Sequence, residues 1–317
     1  MVAIFTGLGS GFERGSGASV GAGGLLGAAS LGRGGDNVFL NAATGNLLVS
    51  RQDEFLVGRG PDIALARTYN SLGALDDNGD YWRQSTDRRV FGLTGTVNTA
   101  GSTIKRVSAD GSEITYAWKG SYYETKEGEG ASDRLTYSSG ANTWTFTDGA
   151  TQTTETYGAY GTGNWRITFA TDVDGNALAF TYSSDKLSRV TTADGSYIEY
   201  GWTGSNITSV VTGYTEFATS TAKTLTRTRY AYDGSNRLTQ VKVDLTPGDN
   251  SVTDDNVYTT DYTYDGSSKR IATITQTDGS TLTISYDGSG RVSQYVQAVA
   301  TSDTRTTTIA YYTGRTE

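Results

Sequence analysis

The sequence predicts an all-β chain built as one antiparallel ribbon of hairpins. Three observations point there. Strand-favouring Tyr and Thr are abundant, with 21 tyrosines, while 41 glycines punctuate the chain and only two prolines, Pro61 and Pro247, interrupt it. Short hairpin units recur, each with large side chains at alternate positions. No stretch shows sustained 3.6-residue periodicity bounded by caps, so helix content is expected to be very small. The hydrophobic fraction of 36% is modest, but tyrosine bodies can fill a layer while their hydroxyls stay wet.

Residues 1–36 form a glycine-rich leader, expected either to be flexible or to dock into the β body. Glu13 and Arg14 interrupt it early and its apolar piece, GAGGLLGAA, is short, so no cleaved secretory signal is expected. No run approaches the ~20 apolar residues of a membrane-spanning helix. Residues 37–108 are expected to form an opening β segment with irregular loops around DDNGD. Residues 109–317 are expected to form the hairpin train. ADGSEITYAWKGS at Ala109 and ADGSYIEYGWTGS at Ala193 share nine of thirteen positions. Alternation puts Ile114, Tyr116 and Trp118 on one strand face, and likewise Ile198, Tyr200 and Trp202. A related unit follows as YAYDGSNRL from Tyr230, YTYDGSSKRI from Tyr262 and ISYDGSGRV from Ile284, with a degenerate copy, FTYSSDKL, from Phe180. Their first strands end at Tyr232, Tyr264, Tyr286 and Tyr182. Each unit is strand, tight turn, strand. A lone hairpin is barely stable in water, so successive units must pair side by side and bury a shared face.

This tyrosine–aspartate unit, Tyr-Asp-Gly-x-x-Arg-Leu, resembles the YD repeat of Rhs and teneurin-type proteins. Tyr232, Gly234 and Arg237 match it, as do Tyr286, Gly288 and Arg291, with Tyr182 and Tyr264 in looser copies. A second stretch, Asn37 to Ser71, resembles the segment that opens the Rhs repeat region. It carries the turn Thr44-Gly45-Asn46-Leu47, the loop Gly58-Arg59-Gly60-Pro61, and a strand with Arg67, Tyr69, Asn70 and Ser71. The two signatures span roughly residues 37–311. The resemblance implies an antiparallel ribbon that coils into a spiral barrel or shell. In complete members the shell surrounds a C-terminal polypeptide, often a toxin; related shells serve in insecticidal toxin complexes and, in teneurins, in adhesion. At 317 residues a partial shell is expected, corresponding to the amino-terminal part. The Asp-Pro of the family's self-cleavage motif is absent, since Pro61 follows Gly60 and Pro247 follows Thr246.

Composition excludes much chemistry. With no Cys and no His there is no disulfide, no thiolate nucleophile, no Cys/His zinc site and no Ser-His-Asp triad. A net charge of −8 gives no support for nucleic-acid binding. Two acidic loops resemble the start of calcium loops: Asp76, Asp77 and Asp80, and Asp172, Asp174 and Asn176. An EF-hand needs Glu at the twelfth position, which counted from Asp172 is Ser183, and the helix flanks are missing; self-bonded turns are the plainer reading. GLGSGFERG near Gly7 has no Walker Lys, and no strand is expected to precede it. The five tryptophans could stack on sugars, although alternating aromatics more often pack across a sheet. The expectation is a non-catalytic shell or scaffold, without cofactor, enclosing or presenting a polypeptide cargo. The alternatives are a self-assembling surface adhesin and a carbohydrate-binding module. Partners would be a cargo polypeptide, further copies of the chain or glycans, and the location extracellular or at a bacterial cell surface.

Overall fold

A computed structural model describes residues 2–5, 36–72, 78–109, 111, 113–125, 132–249, 251, 253–254, 256–300, 303–313 and 315–316. Asp76, Asp77 and most of the leader lie outside them. Among the described residues the chain is all β apart from one 3₁₀ turn, Pro247–Asp249. No helix is long and apolar enough to cross a membrane.

The opening sheet is β1 (Ala3–Phe5), β2 (Asn37–Asn41), β3 (Asn46–Leu56), β4 (Ile63–Asn70) and β5 (Trp82–Gln84), bonded in that order. β1 pairs with β2 in parallel, the exception in an otherwise antiparallel set, so the first residues of the leader are docked and a strand does precede Gly7, contrary to expectation. The ribbon begins with β6 (Arg89–Thr94), β7 (Thr103–Val107), β8 (Glu113–Trp118), β9 (Tyr123–Thr125), β10 (Arg134–Ser138), β11 (Thr143–Thr147), β12 (Thr154–Ala159) and β13 (Asn164–Thr171). It continues as β14 (Ala177–Ser183), β15 (Lys186–Thr191), β16 (Tyr197–Thr203), β17 (Asn206–Glu216), β18 (Thr221–Tyr232), β19 (Leu238–Asp244), β20 (Val257–Tyr264), β21 (Ile271–Gln276), β22 (Thr281–Tyr286), β23 (Val292–Ala300) and β24 (Asp303–Thr308). A two-residue pair follows, β25 (Tyr311–Tyr312) with β26 (Arg315–Thr316). Within the segment 37–108 the opening sheet ends at Gln84, and β6 and β7 already belong to the ribbon because Val90 and Ile104 are fully buried with its core.

β13 is the seam of the coil. One edge pairs with β12 along its length. On the other edge Asn164, Trp165 and Arg166 face Phe91, Val90 and Arg89 of β6, whereas Phe169, Ala170 and Thr171 face β14. Strands β6 to β13 therefore close into an eight-stranded barrel, and the ribbon leaves it through β14. A ribbon that meets its own edge and carries on is one turn of a spiral, as expected. The barrel is filled rather than hollow: Tyr116, Tyr123, Trp144 and Tyr157 are fully buried, with Trp144 packed 5.1 Å from Tyr123 and 5.8 Å from Trp165. Closure removes two sheet edges that would otherwise be sticky.

Candidate functional site

The repeat tyrosines sit where the ribbon bends. A bulge falls immediately before Tyr182, Trp202, Tyr232, Tyr264 and Tyr286. In the turn that follows, the aspartate organises the backbone. Asp233 Oδ1 accepts from the amides of Ser235 and Arg237, while its Oδ2 accepts from Arg237 Nε at 2.7 Å. Asp287 does the same with Ser289 and Arg291. The arginine then reaches forward. Arg237 lies over the ring of Tyr264, Arg270 over Tyr286 and Arg291 over Tyr311, at 4.2–5.3 Å. Each of those hydroxyls donates to the carbonyl just after that arginine: Tyr264 to Leu238, Tyr286 to Ile271, Tyr311 to Val292. Upstream, Arg166 and Ile167 receive Tyr182, and Lys186 and Leu187 receive Trp202, in the same way. In the unit before Tyr232 the cation's place is taken by Asn206. The result is a ladder along the ribbon in which each unit clamps the next. Burial raises the phenol pKa of Tyr182, Tyr264 and Tyr286, so all three stay protonated donors.

In the repeat turns the positive φ falls not at Gly234 or Gly288 but two residues later, at Asn236 (60°) and Gly290 (77°). Asp80 is 1% exposed, and its Oδ1 accepts the Trp82 amide two residues on, as in a self-bonded turn. Asp172 has the geometry of the repeat aspartate: Oδ1 accepts from the amides of Asp174 and Asn176, Oδ2 from the Asn176 side chain. Its oxygens are thus engaged by its own turn, and Asp174 is exposed beside it. Among the described residues no three acidic side chains converge as a metal group. All five tryptophans pack with the hydrophobic core.

The opening sheet seats on the inner face of the ribbon, and its motif residues make the joint. Gly45 has φ of 72° and its carbonyl accepts from the Val292 amide; a Cβ there would strike Arg291. Gly58 abuts Thr192, and Gly60 abuts Asn176. Fully buried Asn46 accepts from Ser71 Oγ at 2.8 Å, closing the ends of β3 and β4 together. Tyr69 OH donates to the Lys269 carbonyl and accepts from the Ile271 amide.

At the centre of this joint lies a buried ionic cluster. Arg67 forks onto Asp53, with Nε–Oδ2 at 2.9 Å and Nη2–Oδ1 at 3.2 Å, stacks on Trp82 at 4.3 Å, and donates to Tyr262 OH. Tyr262 in turn donates to Asp36 at 2.6 Å, and Tyr230 donates to Asp53 at 2.8 Å. Burial raises the Asp36 pKa against the pull of Arg67 and Arg51. Burial likewise lifts Glu54 to about 7, because its partners are the hydroxyls of Thr226 and Thr228 rather than a cation. Asp36, Asp53 and Glu54 were not singled out by sequence. The available signal was the charge pair Arg51 and Asp53 on the same alternation as Val49. A bulge at Asp53 then lets the consecutive Asp53 and Glu54 both turn inward.

Beside the joint, at the seam, is a partly open cavity of about 450 Å³. Its walls are β5 and the segment leading to β6 on one side, and β13 to β19 on the other. Six cationic side chains and three carboxylates line it, together with aromatics such as Trp82, Trp165 and Trp202.

No family model matches the chain. The tRNA nuclease WapA of Bacillus subtilis (strain 168) is 42% identical over 57 residues, 18% of this chain and 2% of that protein. The tRNA3(Ser)-specific nuclease WapA of Bacillus spizizenii matches to the same extent. The chain thus spans about 2% of the length of these curated relatives. Among solved structures, the crystal structure of TcdB2-TccC3 superposes with a TM-score of 0.50 at 11% identity, covering 82% of this chain and 17% of that one. This likeness shows the fold, a β-shell.

Proposed function

We propose that the chain is a non-catalytic segment of a secreted, YD-repeat shell of the Rhs type that encloses or presents a polypeptide cargo such as a toxin. The observation that carries this reading is the seam at β13, where the ribbon closes on itself and continues, so that added turns would extend a wall around an interior. The fold shared with TcdB2-TccC3 supports it. The opening sheet acts as the plug of one end, held by the Arg67 cluster. The stretch shared with WapA is read as shell repeat; the nuclease activity named for that protein is not carried over, since the match is 2% of it. The test is co-expression with the polypeptide encoded downstream. Co-elution of that cargo with resistance to protease is expected, and cargo digested as fast as when expressed alone overturns the reading. A second reading, edge-to-edge assembly of copies outside the cell, draws on β24, which among the described residues is bonded on one side only, to β23. Sedimentation over a range of concentrations checks it, and a constant monomer mass eliminates it.

A further inference from the structure

We propose that the seam cavity is a docking site for an acidic peptide segment bearing an aromatic side chain, with the peptide carboxylate on Arg166. The inference rests on the reading that the chain holds a polypeptide and names the chemistry it grips. Arg166 departs from the other arginines of the ladder. Arg237, Arg270 and Arg291 are each neutralised by the aspartate of their own turn. The turn before Arg166 is Gly161-Thr162-Gly163, with no acid. Its guanidinium lies over the rings of Tyr182 at 3.8 Å and Tyr160 at 4.6 Å, and its Nη1 is buried without a hydrogen-bond partner among the described residues. A buried, unpaired guanidinium donor is costly, and a carboxylate is its natural acceptor.

The surroundings reinforce the sign. Arg83 and Arg89 both bond Asp87. Arg88 shares Glu155 with Arg106. Six cationic side chains line this cavity against three carboxylates, although the chain as a whole carries −8. The volume is in the range of organic-ligand sites and exceeds what an inorganic anion fills. Trp82, Trp165 and Trp202 supply the flat apolar walls that an aromatic side chain next to the acid would contact.

The experiment uses the full chain and two fluorescein-labelled pentapeptides, Gly-Asp-Trp-Asp-Gly and its amide counterpart Gly-Asn-Trp-Asn-Gly, read by anisotropy. The acidic peptide is expected to bind at least tenfold more tightly than the amide one, and Arg166→Gln to abolish that preference. Equal binding of the two peptides to the unaltered chain overturns the proposal, and this comparison stands even if Arg166→Gln fails to fold. Binding of inorganic phosphate that depends on Arg166, with no binding of either peptide, also overturns it. Acid preference without protection of cargo from protease would sink the shell reading alone; protected cargo without acid preference would sink this proposal alone.

Discussion

Asp53 and Glu54 are neighbours in sequence with opposite electrostatic surroundings. Asp53 faces the Arg67 fork and a tyrosine hydroxyl; Glu54 faces two threonine hydroxyls and no cation. Burial raises the Glu54 pKa from 4.5 to about 7, so the folded protein binds that proton more tightly than the unfolded chain does. Its contribution to stability is therefore complete below about pH 4.5 and is lost as pH rises through about 7. At about 1.4 kcal/mol per tenfold in proton affinity, the loss is about 3 kcal/mol. Glu155 slopes the other way: burial alone would raise it, but Arg106 and Arg88 override burial and hold it down to about 2, so its contribution is present above pH 4.5 and fades in acid. Glu54→Gln retains a partner for both threonines without the charge. Its thermal midpoint should match that of the unaltered chain near pH 4.5 and exceed it by about 5 °C at pH 8. Parallel melting profiles across that range would dismiss the assignment. None of this was visible in composition, because the residues flanking Glu54 in space come from β18, and its inward turn depends on the bulge at Asp53.

At the scale of the element, the unit was legible and its coupling was not. Tyr286, Asp287 and Arg291 mark a hairpin by spacing alone, and the alternation of Leu282, Ile284 and Tyr286 gives the buried face. Sequence spacing marks the tyrosine and arginine of a motif but does not say what either touches. The structure pairs the arginine of one unit with the aromatic ring of the next, a contact set by how neighbouring hairpins stagger. The same geometry explains why Gly290, not Gly288, is the position that tolerates no side chain easily: its φ is 77° and Arg270 lies over it. Double-mutant cycles separate the two pairings. Arg270→Ala with Tyr286→Leu should show a coupling of about 0.5–1 kcal/mol in denaturant unfolding, as for a partly exposed cation–ring contact. Arg291→Ala with Tyr286→Leu should show a smaller one. A same-unit coupling equal to or above the cross-unit one would break the ladder.

For the whole molecule, local pairing was readable because each hairpin closes over a few residues, while closure of the coil joins residues far apart in sequence. Nothing in RVFGLT of β6 announces that it will meet NWRITFAT of β13 rather than stay an edge. The opening signature hints at a joint, since Gly45, Gly58 and Gly60 need close backbone approach, yet it does not say to what. Three residue pairs make the seam, which makes it directly testable. Phe91 and Asn164 face each other across it, and facing residues of antiparallel strands have Cα atoms about 4.5–5.5 Å apart, within disulfide range. The chain has no native cysteine, so Phe91→Cys with Asn164→Cys gives an unambiguous readout. After oxidation and trypsin digestion, the peptides carrying residues 91 and 164 should remain joined until reductant is added, and neither single variant should show the link. Peptides that separate without reductant would mean that β6 and β13 are free edges. The ribbon would then be an open sheet with two exposed edges, at Asn164–Arg166 and Arg89–Phe91, and self-assembly through those edges would displace the shell as the better account of what the molecule does.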